Sequence, residues 1–114
     1  MKDKNIKNVI VGFEHSVILK KNGDIFTFGN NSSGQLGISV ENKKLNKPFL
    51  LLNHPNIIKL VCGAFFTIFL TEKGQIFGFG SNKYSELNYE GESVIDSPKM
   101  LFQDENIVDI FAGG

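Results

Sequence analysis

A histidine beside a serine is the pairing that most invites a chemical reading, and His15-Ser16 is the one instance in this chain. An imidazole base next to a hydroxyl nucleophile would suit acyl transfer. The segment that carries them, His15-Ser16-Val17-Ile18-Leu19-Lys20, is rich in β-branched and apolar residues and reads as a strand. Adjacent strand side chains point to opposite faces, which separates the base from the hydroxyl. Further along the chain Phe66 stands at the aligned position, so the site asks for a ring-sized filler more than for a base. His15 is therefore read as structural, and His54, in Asn53-His54-Pro55-Asn56, as a solvated loop residue.

The remaining candidates fall in the same way. Cys62 is the single cysteine, and with two histidines it has no spacing that suits zinc; it reads as a small buried core residue. Gly78-Phe79-Gly80 lacks the third glycine and the following helix of a dinucleotide fingerprint. Acidic residues stand singly apart from Asp104-Glu105, and no carboxylate pair recurs at a fixed place. Asn30 and Asn31 each open an Asn-x-Ser sequon, which carries little weight without a secretion signal. No catalytic, cofactor-binding or metal-ligating residue is assigned, and the expectation is a protein that is not an enzyme and needs no cofactor.

Composition narrows the partners. The chain has 114 residues, 41% of them hydrophobic and 21% charged, with 12 bases balancing 12 acids. That is one domain or a piece of one, too apolar and too neutral to be disordered. Every base is a lysine. A neutral chain without arginine or a basic run has no electrostatic footprint for nucleic acid and no polybasic patch for a membrane. No apolar run approaches the ~18 residues of a membrane helix, and the N-terminus lacks the apolar stretch of a signal peptide. One cysteine fits a reducing compartment, so the expected location is intracellular, cytoplasmic or nuclear.

The main finding is a repeat. Leu19, Gly23, Ile25, Phe26, Phe28, Gly29, Asn31 and Leu36 recur 51 residues later as Leu70, Gly74, Ile76, Phe77, Phe79, Gly80, Asn82 and Leu87. Pro48 recurs as Pro98 and Gly63 as Gly113, each 50 residues on, which places a one-residue deletion between Leu87 and Pro98. Aligning 5–38 on 56–89 gives 11 identities in 34 positions, where chance predicts about two, so the duplication is real. The copies are 5–55 and 56–105, with a third beginning at 106–114.

Each copy holds four short strand-like runs and no helical periodicity. In the first these are 6–11, 15–20, 24–28 and 48–52; in the second, 57–62, 66–71, 75–79 and 98–102. Lys21-Asn22-Gly23-Asp24 and Glu72-Lys73-Gly74-Gln75 are tight turns in which glycine supplies a positive φ. Pro48 and Pro98 are expected at strand starts. Gly12, Gly63, Gly29 and Gly80 end strands where chains crowd. A four-stranded sheet of this size cannot bury its faces alone, so copies must stack like blades of a β-propeller, with a sandwich or barrel as the competing architecture. The exact 51-residue period favours blades. Phe26, Phe28, Phe77 and Phe79 read as core between them.

With the repeat in view, Gly12-x-x-His15-Ser16-x-x-Leu19 followed by Gly23-Asp24-Ile25-Phe26-Thr27-Phe28-Gly29-x-Asn31-x-x-Gly34-Gln35-Leu36-Gly37 resembles the repeat of the regulator of chromosome condensation family. Val61-Cys62-Gly63-Ala64 and Gly80-Ser81-Asn82-Lys83-Tyr84 resemble the same pattern in the second copy. The resemblance covers nearly the whole chain. It implies an all-β fold: two antiparallel four-stranded blades of an incomplete β-propeller, plus the first strand of a third. Departures are Phe28 and Phe79 where the family usually has tryptophan, Phe66 for histidine, and Ser85, Glu86 and Asn88 for the loop Gly, Gln and Gly. The absence of tryptophan sets the chain apart from the family's ultraviolet-B receptors, whose chromophore is a tryptophan cluster.

The family's propellers are closed rings, so two copies imply a fragment of a larger protein, an assembly of several copies through exposed blade faces, or a gene remnant. The resemblance implies a non-enzymatic protein-interaction module that presents loops 30–47 and 81–97 to a protein partner. Alternatives are guanine-nucleotide exchange on a small GTPase, whose wedge and loop residues match no position here, and the repeat segment of a multidomain ubiquitin ligase.

Overall fold

A computed structural model describes residues 5–82, 93–107, 109 and 110. Strands β1 (Ile6–Val11), β2 (His15–Lys20), β3 (Asp24–Asn30) and β4 (Lys44–Asn53) pair antiparallel in chain order into one sheet. Strands β5 (Ile57–Cys62), β6 (Phe66–Thr71), β7 (Gln75–Ser81) and β8 (Val94–Gln103) build a second sheet in the same order. The fold is all-β, with two blade-like sheets. Most of the expected third-copy strand and the centre of the second long loop lie outside the described residues.

The copies match even in their faults. Pairing slips between Ile6 and Asn8 in β1, and between Ile57 and Lys59 in β5. Two further irregularities, at Ile25/Phe26 and Thr27/Gly29, recur at Ile76/Phe77 and Gly78/Gly80. Such bulges re-aim side chains. Because Ile25 pairs with Leu52 and Phe26 with Leu50, Leu51 is left between them. Both Leu51 and Leu52 then pack into clusters that contain second-sheet residues.

The turns form as expected, with Gly23 at φ 93° and Gly74 at φ 74°. The outer strands do not start where the prolines suggested. They begin four residues earlier, at Lys44 and Val94, and Pro48 and Pro98 lie inside them. Pro48 falls between Phe49, which pairs with Thr27, and Leu45, which pairs with Gly29. That bulge spares it a ladder hydrogen bond, and β4 is an edge strand, the other place where proline is tolerated.

The main core is the seam between sheets. Val17, Leu19 and Ile25 of the first pack with Ile57, Leu60 and Phe69 of the second, flanked by Ile10, Leu52, Cys62 and Phe77. Alternation along β2 and β3 sends Phe26 and Phe28 to the other face, away from the second sheet. Of the phenylalanine stripe, only Phe77 and Phe79 therefore belong to these described core clusters.

Candidate functional site

Three buried polar residues, His15, Gln35 and Thr67, meet at the seam. His15 is 2% exposed, and its Nε2 lies 3.1 Å from Thr67 Oγ1 of the opposite sheet. Thr67 in turn donates to the Gln35 carbonyl at 3.3 Å, which leaves Nε2–H as the donor to the threonine oxygen. Burial pulls the His15 pKa down to about 4, opposed only in part by a hydrogen bond with the Phe66 backbone. At neutral pH the ring is an uncharged strut whose hydroxyl partner is Thr67. Ser16 plays no part in that contact. Cys62 Sγ sits 3.7 Å from the same hydroxyl, and burial raises its pKa to about 11, so it stays a thiol.

The glycine three residues before each ring explains why His and Phe can exchange. A Cβ on Gly12 would collide with the His15 imidazole, and one on Gly63 with the Phe66 ring. Each ring occupies the space a side chain at the glycine would need. The hairpins close identically, with Gly12 and Gly63 donating to the carbonyls of His15 and Phe66 at 2.9 Å.

The loop after β3 is anchored rather than loose. Asn31 is fully buried, and its side-chain amide donates to the carbonyls of Ile38, Ser39 and Asn42 at 3.1, 2.9 and 2.8 Å. Its oxygen accepts from Leu36 N at 3.0 Å. Thr27 Oγ1 donates to the Leu36 carbonyl at 2.9 Å. Gln35 and Leu36 are thereby driven into the seam, and Val40 N reaches Asp96 of β8 at 3.3 Å. Sequence reasoning took this whole loop as a presented surface. Its first half is a plug, while Ser39, Glu41, Asn42 and Lys43 remain exposed. The recurrence of the asparagine at 31 and 82 was the signal.

Two further residues were misjudged or missed. His54 is half-buried, its ring 6.0 and 6.1 Å from Phe69 and Phe77, and is not the solvated loop residue expected. A linker that packs on the next sheet cannot be recognised from one turn-like tetrapeptide. Phe13 is 68% exposed at the first inner hairpin and meets Phe65 of the second edge-on at 5.7 Å, with Phe13 N bonded to Ala64 O. Among the described residues no group of three or more His, Cys, Asp or Glu could hold a metal ion.

Comparison with known proteins decides the family. The pattern described as the regulator of chromosome condensation (RCC1) repeat matches residues 22–70, and a second pattern of the same repeat matches 6–35 and 57–86. The chain belongs to the regulator of chromosome condensation repeat family. It is 33% identical over 99% of its length to the human "Probable E3 ubiquitin-protein ligase HERC4". Over 72% of its length it is 41% identical to the mouse "Secretion-regulating guanine nucleotide exchange factor". It spans 11% and 18% of those relatives. The solved structure of Prp20p from Saccharomyces cerevisiae superposes with a TM-score of 0.78 at 17% identity, covering 93% of this chain and 28% of that one. The two sheets are therefore blades of an RCC1-type propeller segment.

Proposed function

We propose that this RCC1-repeat segment is a non-enzymatic protein-interaction module that works as part of a larger propeller. One observation carries the reading. Leu52 of the first blade packs into the seam, whereas Phe102, its counterpart in the second, is 55% exposed. A large ring there calls for another apolar surface, as Leu52 has. That surface belongs to a further blade or, in an isolated chain, to a second copy. The exposed Phe13–Phe65 pair and the outer half of the 30–43 loop supply a rim for a protein partner in an intracellular setting, cytoplasmic or nuclear.

The identity to a relative named as a guanine-nucleotide exchange factor supports a second reading, exchange on a small GTPase. The likeness to a relative named as a ubiquitin ligase supports the segment reading. Mixing the purified chain with a panel of small GTPases and following release of labelled nucleotide separates the first two; no acceleration is expected, and clear acceleration overturns the preference. Light scattering with a hydrophobic dye tests the open face. Dye binding or self-association is expected, and a dye-silent monomer would contradict it.

A further inference from the structure

On the edge of the blades formed by the β2–β3 and β6–β7 turns, the two copies share a backbone and oppose each other in charge. Lys21 N bonds to Asn5 O at 2.7 Å, and Glu72 N to Asn56 O at 2.9 Å. His54 N bonds to Gly23 O at 2.9 Å, and Asp104 N to Gly74 O at 3.0 Å. Around the first of these frames a small pocket is lined by Lys7, Lys20, Lys21, His54 and Pro55, and among the described residues none that lines it is acidic. One copy later the same five positions hold Ile58, Thr71, Glu72, Asp104 and Glu105. The frame forms with either sign of charge, so folding does not demand the lysines.

We infer that this basic seam pocket docks an acidic segment of a protein partner. Lysine ammonium groups are hydrated point charges on long stems, suited to successive carboxylates rather than to one bidentate fork. Lys7 Nζ already leans over the seam, 3.4 Å from the Ile57 carbonyl, whereas Lys20 turns its Nζ to the other face of the sheet, 5.3 Å from the centre of the Phe26 ring, and only its stem lines the pocket. Lys7 and Lys21 are exposed and carry the recognition. The neighbouring Glu72, Asp104 and Glu105 are exposed as well and repel any long polyanion laid across both frames, which favours a short acidic peptide over nucleic acid.

The inference rests on the protein-interaction reading and names the chemistry of one partner. Its test is fluorescence anisotropy of a labelled hexaglutamate peptide with the full chain. Binding is expected at about 25 mM salt and should weaken about tenfold by about 300 mM. Lys7→Glu with Lys21→Glu should weaken it about tenfold, and Lys21→Ala alone by a few-fold, with circular dichroism checking that each variant is folded. Glu72→Lys with Glu105→Lys should leave binding unchanged or tighter. The inference is overturned if the wild-type chain binds no peptide, if the lysine reversals leave affinity within about twofold, or if inorganic phosphate displaces the peptide at matched ionic strength. None of those failures touches the nucleotide-release or dye results, which test the broader reading.

Discussion

Phe28 and Phe79 hold the same place in the two blades, yet Phe79 is 0% exposed while Phe28 remains half-buried. The difference lies in what covers them. The first blade lays Leu51 and Gly37 against Phe79, whereas the described residues put no blade over Phe28. Where the first blade presents Lys20 above Phe26, the second has Thr71 in hydrogen-bond contact with Gln75 and the His54 ring against Phe77. Blade structure is thus set within a copy, and blade burial is set by the neighbour.

The equivalence of the two backbones can be broken most forcefully at Gly29 and Gly80. Their φ values are 111° and 120°. A Cβ would lie 2.6 Å from the Glu14 carbonyl oxygen at the first, and 2.6 Å from Phe66 Cα at the second. Valine at either position should cost about 4 kcal/mol in urea melts, nearly equally. A harmless substitution at one of them would mean that the copies are not built alike.

The inequality of burial is probed next by truncation. Phe79→Ala should cost about 3 kcal/mol and Phe28→Ala about 1 kcal/mol, measured by the same melts. Equal losses would mean that the outer face of the first blade is already sealed.

His15 sharpens the comparison through pH. Its folded pKa, about 4, lies below the ordinary 6.5, so between those values the unfolded chain binds more protons. Stability should therefore fall by about 3 kcal/mol as pH drops from 6.5 to 4, and be fully present above that window. His15→Phe, which copies the Gly63–Phe66 arrangement, should remove this His15 contribution while costing less than about 1 kcal/mol at pH 7. If thermal melts of the variant keep the whole acid loss, the burial of that imidazole is not its source.

Much of this was legible before any coordinates. Repeated glycines and β-branched runs placed the inner three strands of each copy nearly to the residue, because local turn chemistry and alternation decide them. The outer strands were read short, since pairing of Lys44 and Leu45 beyond Pro48 depends on a bulge that only the partner strand defines. His15 was recognisable as a filler from its exchange with Phe66, though the supporting Gly12 contact was not. Asn31 looked like a loop residue because a side chain that caps three carbonyls leaves no periodic trace. The seam charges stood in the aligned copies all along, but nothing in one dimension shows that Lys7, Lys21 and His54 share a pocket.

The seam joins unlike surfaces: one blade offers Val17 and Ile25, the next answers with Phe69 and Leu60. Contacts of this head-to-tail kind have a direction and no intrinsic stop. Each added unit recreates the docking face it has just consumed, as a stair tread does for the next. Growth then halts only when rotation brings the leading face round to the trailing one, so the angle between neighbouring units, more than the strength of any single seam, decides between a closed wheel and an endless spiral.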